Sequence, residues 1–238
     1  MIAWRVGFAM LALGVGLLSA GAQLGGIWWL LAWPAAAFAL VANAYFALGP
    51  RVLGKRADGT IPPWRVLPLF PYFALAWGVW HLKRVLELEN PWDEVAPGLF
   101  LGRRVYGPEL PTGTGLVVDL TAEFVEPAEV RAAGRYRCLA TLDGAAPPDP
   151  AAFVALVREV AAFEGKAYVH CALGHGRSAA VMAGAFIARG LAAGIDEAER
   201  ALQAKRPTVR LSDAQRHLLG RVVAELRPPA GPAAAPPT

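Results

Sequence analysis

Between Arg5 and Arg51 the chain carries no charged side chain at all. Inside a bilayer every backbone polar group must be satisfied within the protein, so a crossing takes roughly 20 apolar residues wound as a helix. The charge-free run from Val6 to Pro50 is about two such crossings long. Its middle, GAQLGG (Gly21 to Gly26), offers glycines and one polar side chain for a tight turn. The pattern predicts a helical hairpin over Val6–Ala20 and Ile27–Leu48, with Trp28, Trp29 and Trp33 at interfacial or packing positions. The first span also fits a secretory signal. Arg5 would be its positive end, Met10–Leu18 its apolar centre and Ala20–Ala22 its small-residue cleavage site, with the second span left as an anchor.

A third apolar stretch, Trp64 to Leu82, is interrupted by Pro68 and Pro71. Arg51, Lys55 and Arg56 precede it and Lys83 and Arg84 follow it, so a full crossing would put one basic cluster on the wrong side. An interfacial or re-entrant segment keeps both in the cytoplasm. The expected placement is thus a multi-pass cell-membrane protein with everything beyond residue 50 facing the cytoplasm. The net charge of +4 suits an anionic leaflet, and the 55% hydrophobic content fits the membrane segments. Two cysteines, Cys138 and Cys171, form no disulfide framework, and a reducing compartment agrees with that.

Composition divides the chain into residues 1–50, the transmembrane hairpin; 51–91, a basic loop, interfacial segment and linker; 92–226, one domain; and 227–238, a disordered Pro/Ala tail. Within the domain, short apolar runs at Gly98–Gly102, Gly115–Leu120, Arg135–Leu142 and Lys166–His170 read as strands. Asp149 and Pro150 open a helix with Phe153, Val157, Val160 and Phe163 on one face. Ser178–Ala188 is almost wholly apolar and reads as a buried helix. Ser212–Gln215 is a capping box opening a last helix with Leu218, Leu219, Val222 and Leu226 inward. Alternating strands and helices imply an α/β fold with a mostly parallel central sheet flanked by helices. Ligands on such sheets sit at the carboxyl ends of the strands, where HCALGHGRS (His170 to Ser178) lies.

That loop gathers anions. Consecutive amides in a strand-to-helix turn converge, and the helix start adds positive potential. Gly174 and Gly176 allow close approach, and the forked guanidinium of Arg177 can hold two phosphate oxygens. The same surroundings favour the thiolate of Cys171, a nucleophile beneath a bound phosphorus.

The segment resembles the His-Cys-x5-Arg-Ser/Thr signature of the cysteine-dependent protein-tyrosine and dual-specificity phosphatases. VAPGLFLGRR (Val95 to Arg104), VVDLT (Val117 to Thr121) and AKRPTVRLSDAQRHLL (Ala204 to Leu219) are similar to further parts of the dual-specificity group, so the likeness covers roughly residues 92–226. It implies a phosphatase-like sandwich and a phosphocysteine formed on Cys171. It also implies a phosphate cup made by Ala172, Leu173, Gly174, His175, Gly176 and Arg177, with Ser178 assisting thiolate departure and His170 supporting the thiolate from behind. A general acid is needed as well, and the family draws it from an aspartate upstream. Asp143 follows a strand and precedes Gly144; Asp149 has its own task as a helix cap, and Asp119 ends a strand. Asp143 is the expected acid.

Substrates implied are phosphorylated proteins or phospholipid head groups at a membrane, without nucleic acid, cofactor or metal; the histidines and cysteines show no ligand spacing. Departures from the lipid-directed members are visible: of the extra basic loop residues typical there, only His175 is present. A rhodanese-like sulfurtransferase and a non-catalytic phospho-binding module are the alternative functions. Cys138 is expected in a core strand, and Lys205 and Arg206 at a solvated helix end or, as the alternative, at the pocket rim.

Overall fold

The structure, a computed structural model, describes residues 2–86 and 89–227. Helix α1 (Ile2–Leu24) and helix α2 (Ala32–Asn43) form the hairpin, joined by a 3-10 turn at Gly26–Leu31. The turn is tighter than GAQLGG suggests: α1 runs on through Gln23, and the chain reverses at Gly25 and Gly26, whose φ of 64° and 54° is open to glycine. Helix α2 passes through a π turn (Ala44–Leu48) into a 3-10 turn ending at Leu53. The first helix and the run Gly26–Leu53 are each long and apolar enough to cross a membrane. Their contact follows a heptad of glycines. An added Cβ would lie 2.7 Å from the Phe46 ring at Gly7, 2.9 Å from the Ala35 carbonyl at Gly14, and 2.9 Å from the Trp28 carbonyl at Gly21. Without side chains there, the two backbones approach as closely as membrane helices do.

The third apolar stretch is one continuous helix, α3 (Pro63–Leu86), despite Pro68 and Pro71. Packing replaces what the prolines remove. Leu69, Tyr72 and Phe73 are buried in a cluster with Phe38, Val41 and Leu53 of the hairpin and Ala122 and Leu142 of the following domain. Lys55 also departs from expectation. Its ammonium is buried against the Asp119 carboxylate and lies 2.6 Å from the Thr121 hydroxyl, so it ties the loop after the hairpin to the sheet instead of facing a leaflet.

The sheet has five strands: β1 (Trp92–Ala96), β2 (Leu99–Arg103), β3 (Thr114–Thr121), β4 (Arg135–Thr141) and β5 (Lys166–Cys171), in the order β1-β2-β5-β3-β4. Only β1 is antiparallel. It opens the domain at residue 92 and is not among the strands read from the sequence, because a short, acid-bearing edge strand buries little and shows no apolar run. Alternation decides the faces. Leu99, Leu101, Leu116, Val118, Ala167 and Val169 point into the main core, covered by α5 (Pro150–Ala162), α6 (Arg177–Ala188), α7 (Ile195–Gln203) and α8 (Asp213–Leu226). Phe100, Val117 and Tyr168 point the other way, under the short helix α4 (Ala128–Ala132). Asp149 caps α5 with bonds of 2.9 and 3.1 Å to the Ala151 and Ala152 amides, and the Ser212–Gln215 capping box opens α8, both as expected. Of the tail, only Arg227 lies within the described residues.

Candidate active site

Residues Cys171 to Arg177 link β5 to α6, and the peptide orientations in that loop follow from where its carbonyls bond. The Ala172 carbonyl accepts from the Arg104 amide (3.2 Å) and from the Trp80 indole (2.9 Å). The Leu173 carbonyl accepts from Arg206 (3.0 Å), the His175 carbonyl from the Arg210 amide (2.9 Å), and the Gly176 carbonyl from the Ala180 amide (2.9 Å). In a trans peptide the next N–H points opposite to the carbonyl. Carbonyls drawn outward therefore turn the amides of Leu173, Gly174, Gly176 and Arg177 inward. Gly174 N lies 3.3 Å from Cys171 Sγ, as this requires. Gly174 has φ 82°, and a Cβ there would sit 2.5 Å from the Gly102 carbonyl carbon, so the loop is pressed against β2.

Ser178 Oγ also lies 3.3 Å from Sγ. Burial alone would push the Cys171 thiol up. The Arg177 charge, the Ser178 hydroxyl and amide and the Gly174 amide outweigh it, holding the thiol below its ordinary range. Cys138 shows the contrast: half-buried on β4, with burial first and Asp119 second, its thiol is pushed up to about 12.

Arg177 is only 1% exposed. Glu123, in the loop after β3, grips the end of its guanidinium at 2.8 and 2.9 Å, and the Thr141 carbonyl accepts from Nη1 at 2.9 Å. Asp143 meets Nη2 at 3.1 Å, with its own side chain 70% exposed. Among the described residues, Nε has no hydrogen-bond partner. Glu123 and the Thr141 carbonyl thus orient the fork, while Nη2 is shared between Glu123 and the exposed Asp143. The loop carrying Asp143 is tied in turn to α8, since Gln215 donates to the Ala145 carbonyl at 3.0 Å.

The structure brings Cys171, Arg177, Ser178, Asp143 and the amides of the loop together. It separates two side chains from them. His175 turns outward to Glu89 (2.8 Å). His170 lies on the opposite face of the sheet from Cys171, because neighbours on a strand alternate; its ring stacks on Tyr168 and its Nε2 lies 3.5 Å from Glu126 Oε1. Arg206 departs from the solvated helix end expected of it. It is buried and bonds to the Asn90 carbonyl (3.1 Å), Asp93 (2.8 Å) and Glu89 (3.0 Å) besides Leu173. Glu123 and Trp80 are the residues the sequence did not announce.

Behind the site, on the second face, Asp119, Glu126 and His170 place three ligand atoms within 4.8 Å of one another. Cations are already there: Lys55 on Asp119, and Arg104 Nε 3.4 Å from Glu126. A metal ion would displace them, so the donor set does not fit one. Asp119 is fully buried, bonded by Lys55, Thr121 and Tyr136, which removes it as a proton donor to any substrate.

A crystal structure of PTPMT1 in complex with PI(5)P matches 57% of this chain and 96% of its own, with a TM-score of 0.50 at 20% identity. The α/β half of the chain shares that fold. Crystal structures of a human tyrosine phosphatase-like serine/threonine/tyrosine-interacting protein (58% of this chain, 98% of that one, 22% identity, TM-score 0.47) and of Tk-PTP in the active form (56%, 97%, 21% and 0.49) also match. No family model and no curated protein matches the sequence.

Proposed function

We propose that the protein is a membrane-anchored, cysteine-dependent phosphatase that hydrolyses phosphomonoesters. The observation that carries the proposal is an amide-bonded thiol, held below its ordinary range, in the lining of one cavity with an arginine whose Nε is left unpaired among the described residues. A phosphate dianion seated in the cup takes the inward amides and hydrogens of the Arg177 fork, and Asp143, taking up a proton from water as it leaves Nη2, moves toward the ester oxygen. The Cys171 thiolate attacks phosphorus. The P–O bond to the alcohol breaks, and Asp143 gives its proton to the departing oxygen. Water then attacks the phosphocysteine, returning a proton to Asp143. The S–P bond breaks, and the Ser178 hydroxyl, 3.3 Å from Sγ, stabilises the thiolate that leaves. The products are one alcohol and one inorganic phosphate.

Glu123 keeps Arg177 in place through both steps, and His170 acts by packing under β5 without touching sulfur. The two apolar helices supply the anchor, with the α/β half in the cytoplasm. The test is turnover of p-nitrophenyl phosphate by the full chain in detergent. Cys171→Ser is expected to abolish turnover while still binding inorganic phosphate. Turnover unchanged in that variant would remove the nucleophile, and with it the proposal.

A further inference from the structure

A cavity of about 450 Å³ opens above Cys171, and its walls come from both halves of the chain. Its floor is the phosphate loop with Arg177. Its side is apolar: Val6 and Met10 of α1, and Leu75, Ala76 and Val79 of α3. Val6 and Met10 belong to the charge-free run, within two turns of Arg5, so this wall stands at the end of a helix long and apolar enough to cross a membrane. Lys83 of α3 and Arg210 complete the lining with positive charge.

The wall continues beyond the cavity. Leu75 and Val79 stay 41% and 45% exposed, and Leu82 and Leu86 extend the same face of α3, spaced four, three and four residues apart. A helix that packed only against protein would bury such a stripe. Here it runs from the phosphate loop along α3, past Lys83 in the cavity lining and Arg84, which Glu109 holds at 3.0 Å.

We infer that the substrate is a membrane phospholipid ending in a phosphomonoester, its phosphate on the Cys171 loop and its acyl chains along Val6, Met10, Leu75 and Val79. This rests on the phosphatase reading above and names the substrate class for that site. A phosphorylated protein segment fits the same walls poorly. To reach Cys171 it would lay backbone amides beside apolar helices that offer them no partner. A lipid presents only hydrocarbon there, and its phosphate already lies at the interface. The reaction balances as before: the lipid alcohol stays in the bilayer and inorganic phosphate leaves to water.

The test uses the full chain in phosphatidylcholine vesicles. Phosphate release is measured from phosphatidic acid and phosphatidylinositol monophosphates with long acyl chains, from the same head groups without acyl chains, and from phosphotyrosine and phosphothreonine peptides. Confining long-chain substrate and enzyme to the same bilayer raises their effective concentration, which predicts kcat/KM at least roughly 100-fold higher for the long-chain lipids than for their deacylated forms. Leu75→Glu should lower the ratio of lipid to p-nitrophenyl phosphate turnover at least about tenfold. Peptides cleaved faster than lipids, or deacylated head groups cleaved as well as lipids, would overturn the inference while leaving the phosphatase intact. The wild-type comparison decides the matter even if the variant fails to fold. Loss of p-nitrophenyl phosphate turnover in the wild type would instead sink the phosphatase itself.

Discussion

Replacing Asp143 by asparagine separates two roles that the ligand-free structure superimposes. The carboxylate pairs with Arg177 Nη2 at 3.1 Å, but its side chain is 70% exposed. An ion pair so open to water contributes about 0–1 kcal/mol, so its loss changes any rate by no more than about fivefold. Asparagine still offers an oxygen to Nη2, which shrinks even that. Removing a general acid costs far more, about 100- to 10,000-fold, and the cost grows with the basicity of the leaving group. Asp143→Asn is therefore expected to cut kcat/KM, which reports only steps up to departure of the alcohol, by about 100-fold or more on an alkyl phosphate, with a loss at least about tenfold smaller on p-nitrophenyl phosphate, whose phenolate leaves with little help. Steady-state rates for the two esters, with inorganic phosphate inhibition as a check on the cup, read both quantities. Equal losses on the two esters, or an alkyl loss within about fivefold, would refute proton donation by Asp143 and leave it an electrostatic neighbour of Arg177.

Alkylation by iodoacetamide at mildly acidic pH should label Cys171 and spare Cys138, since one thiol is held below its ordinary range and the other is pushed up to about 12; peptide mass spectrometry would read it, and equal labelling would contradict the assignment. Glu126 is buried and faces the negative Asp119, which together push its carboxyl up to about 8 despite Arg104. A folded-state value above the unfolded one means that its contribution to stability is complete below about pH 4.5 and is lost as pH rises through about 8. Glu126→Gln should thus gain in Tm relative to the wild type between about pH 6 and about pH 9, and a difference that does not change with pH would count against a protonated Glu126.

The parts of the site legible in the sequence are those carried by one short segment. Cys171, Gly174, Arg177 and Ser178 are fixed relative to one another by a single strand–loop–helix turn, so spacing alone conveys their geometry. Asp143 could be found because strand ends in a parallel sheet share one edge. Glu123 lies 54 residues from the arginine it grips, and nothing local marks it. Recognising it needs the sheet order, in which β3 sits beside β5. Arg206 looks like one more cation at a helix end until the fold brings Glu89, Asp93 and the Leu173 carbonyl around it. His170 and Cys171 adjoin in sequence, yet the pleat sends them to opposite faces, a separation that spacing along the chain does not display. The prolines of α3 read as breaks because their compensation comes from the hairpin and from Ala122 and Leu142, far away along the chain.

The indoles of Trp77 and Trp80 donate to the Glu123 and Ala172 carbonyls, each at 2.9 Å, so two loops of the reaction centre are braced from the apolar side of the molecule. Shortening the chain to begin near residue 90 would strip both braces and uncover Ala122, Phe124 and Leu142, now buried. Rates collected on such a fragment would describe a slacker, differently shaped centre. The last helix of the apolar half is thereby also part of what shapes the loop around Cys171.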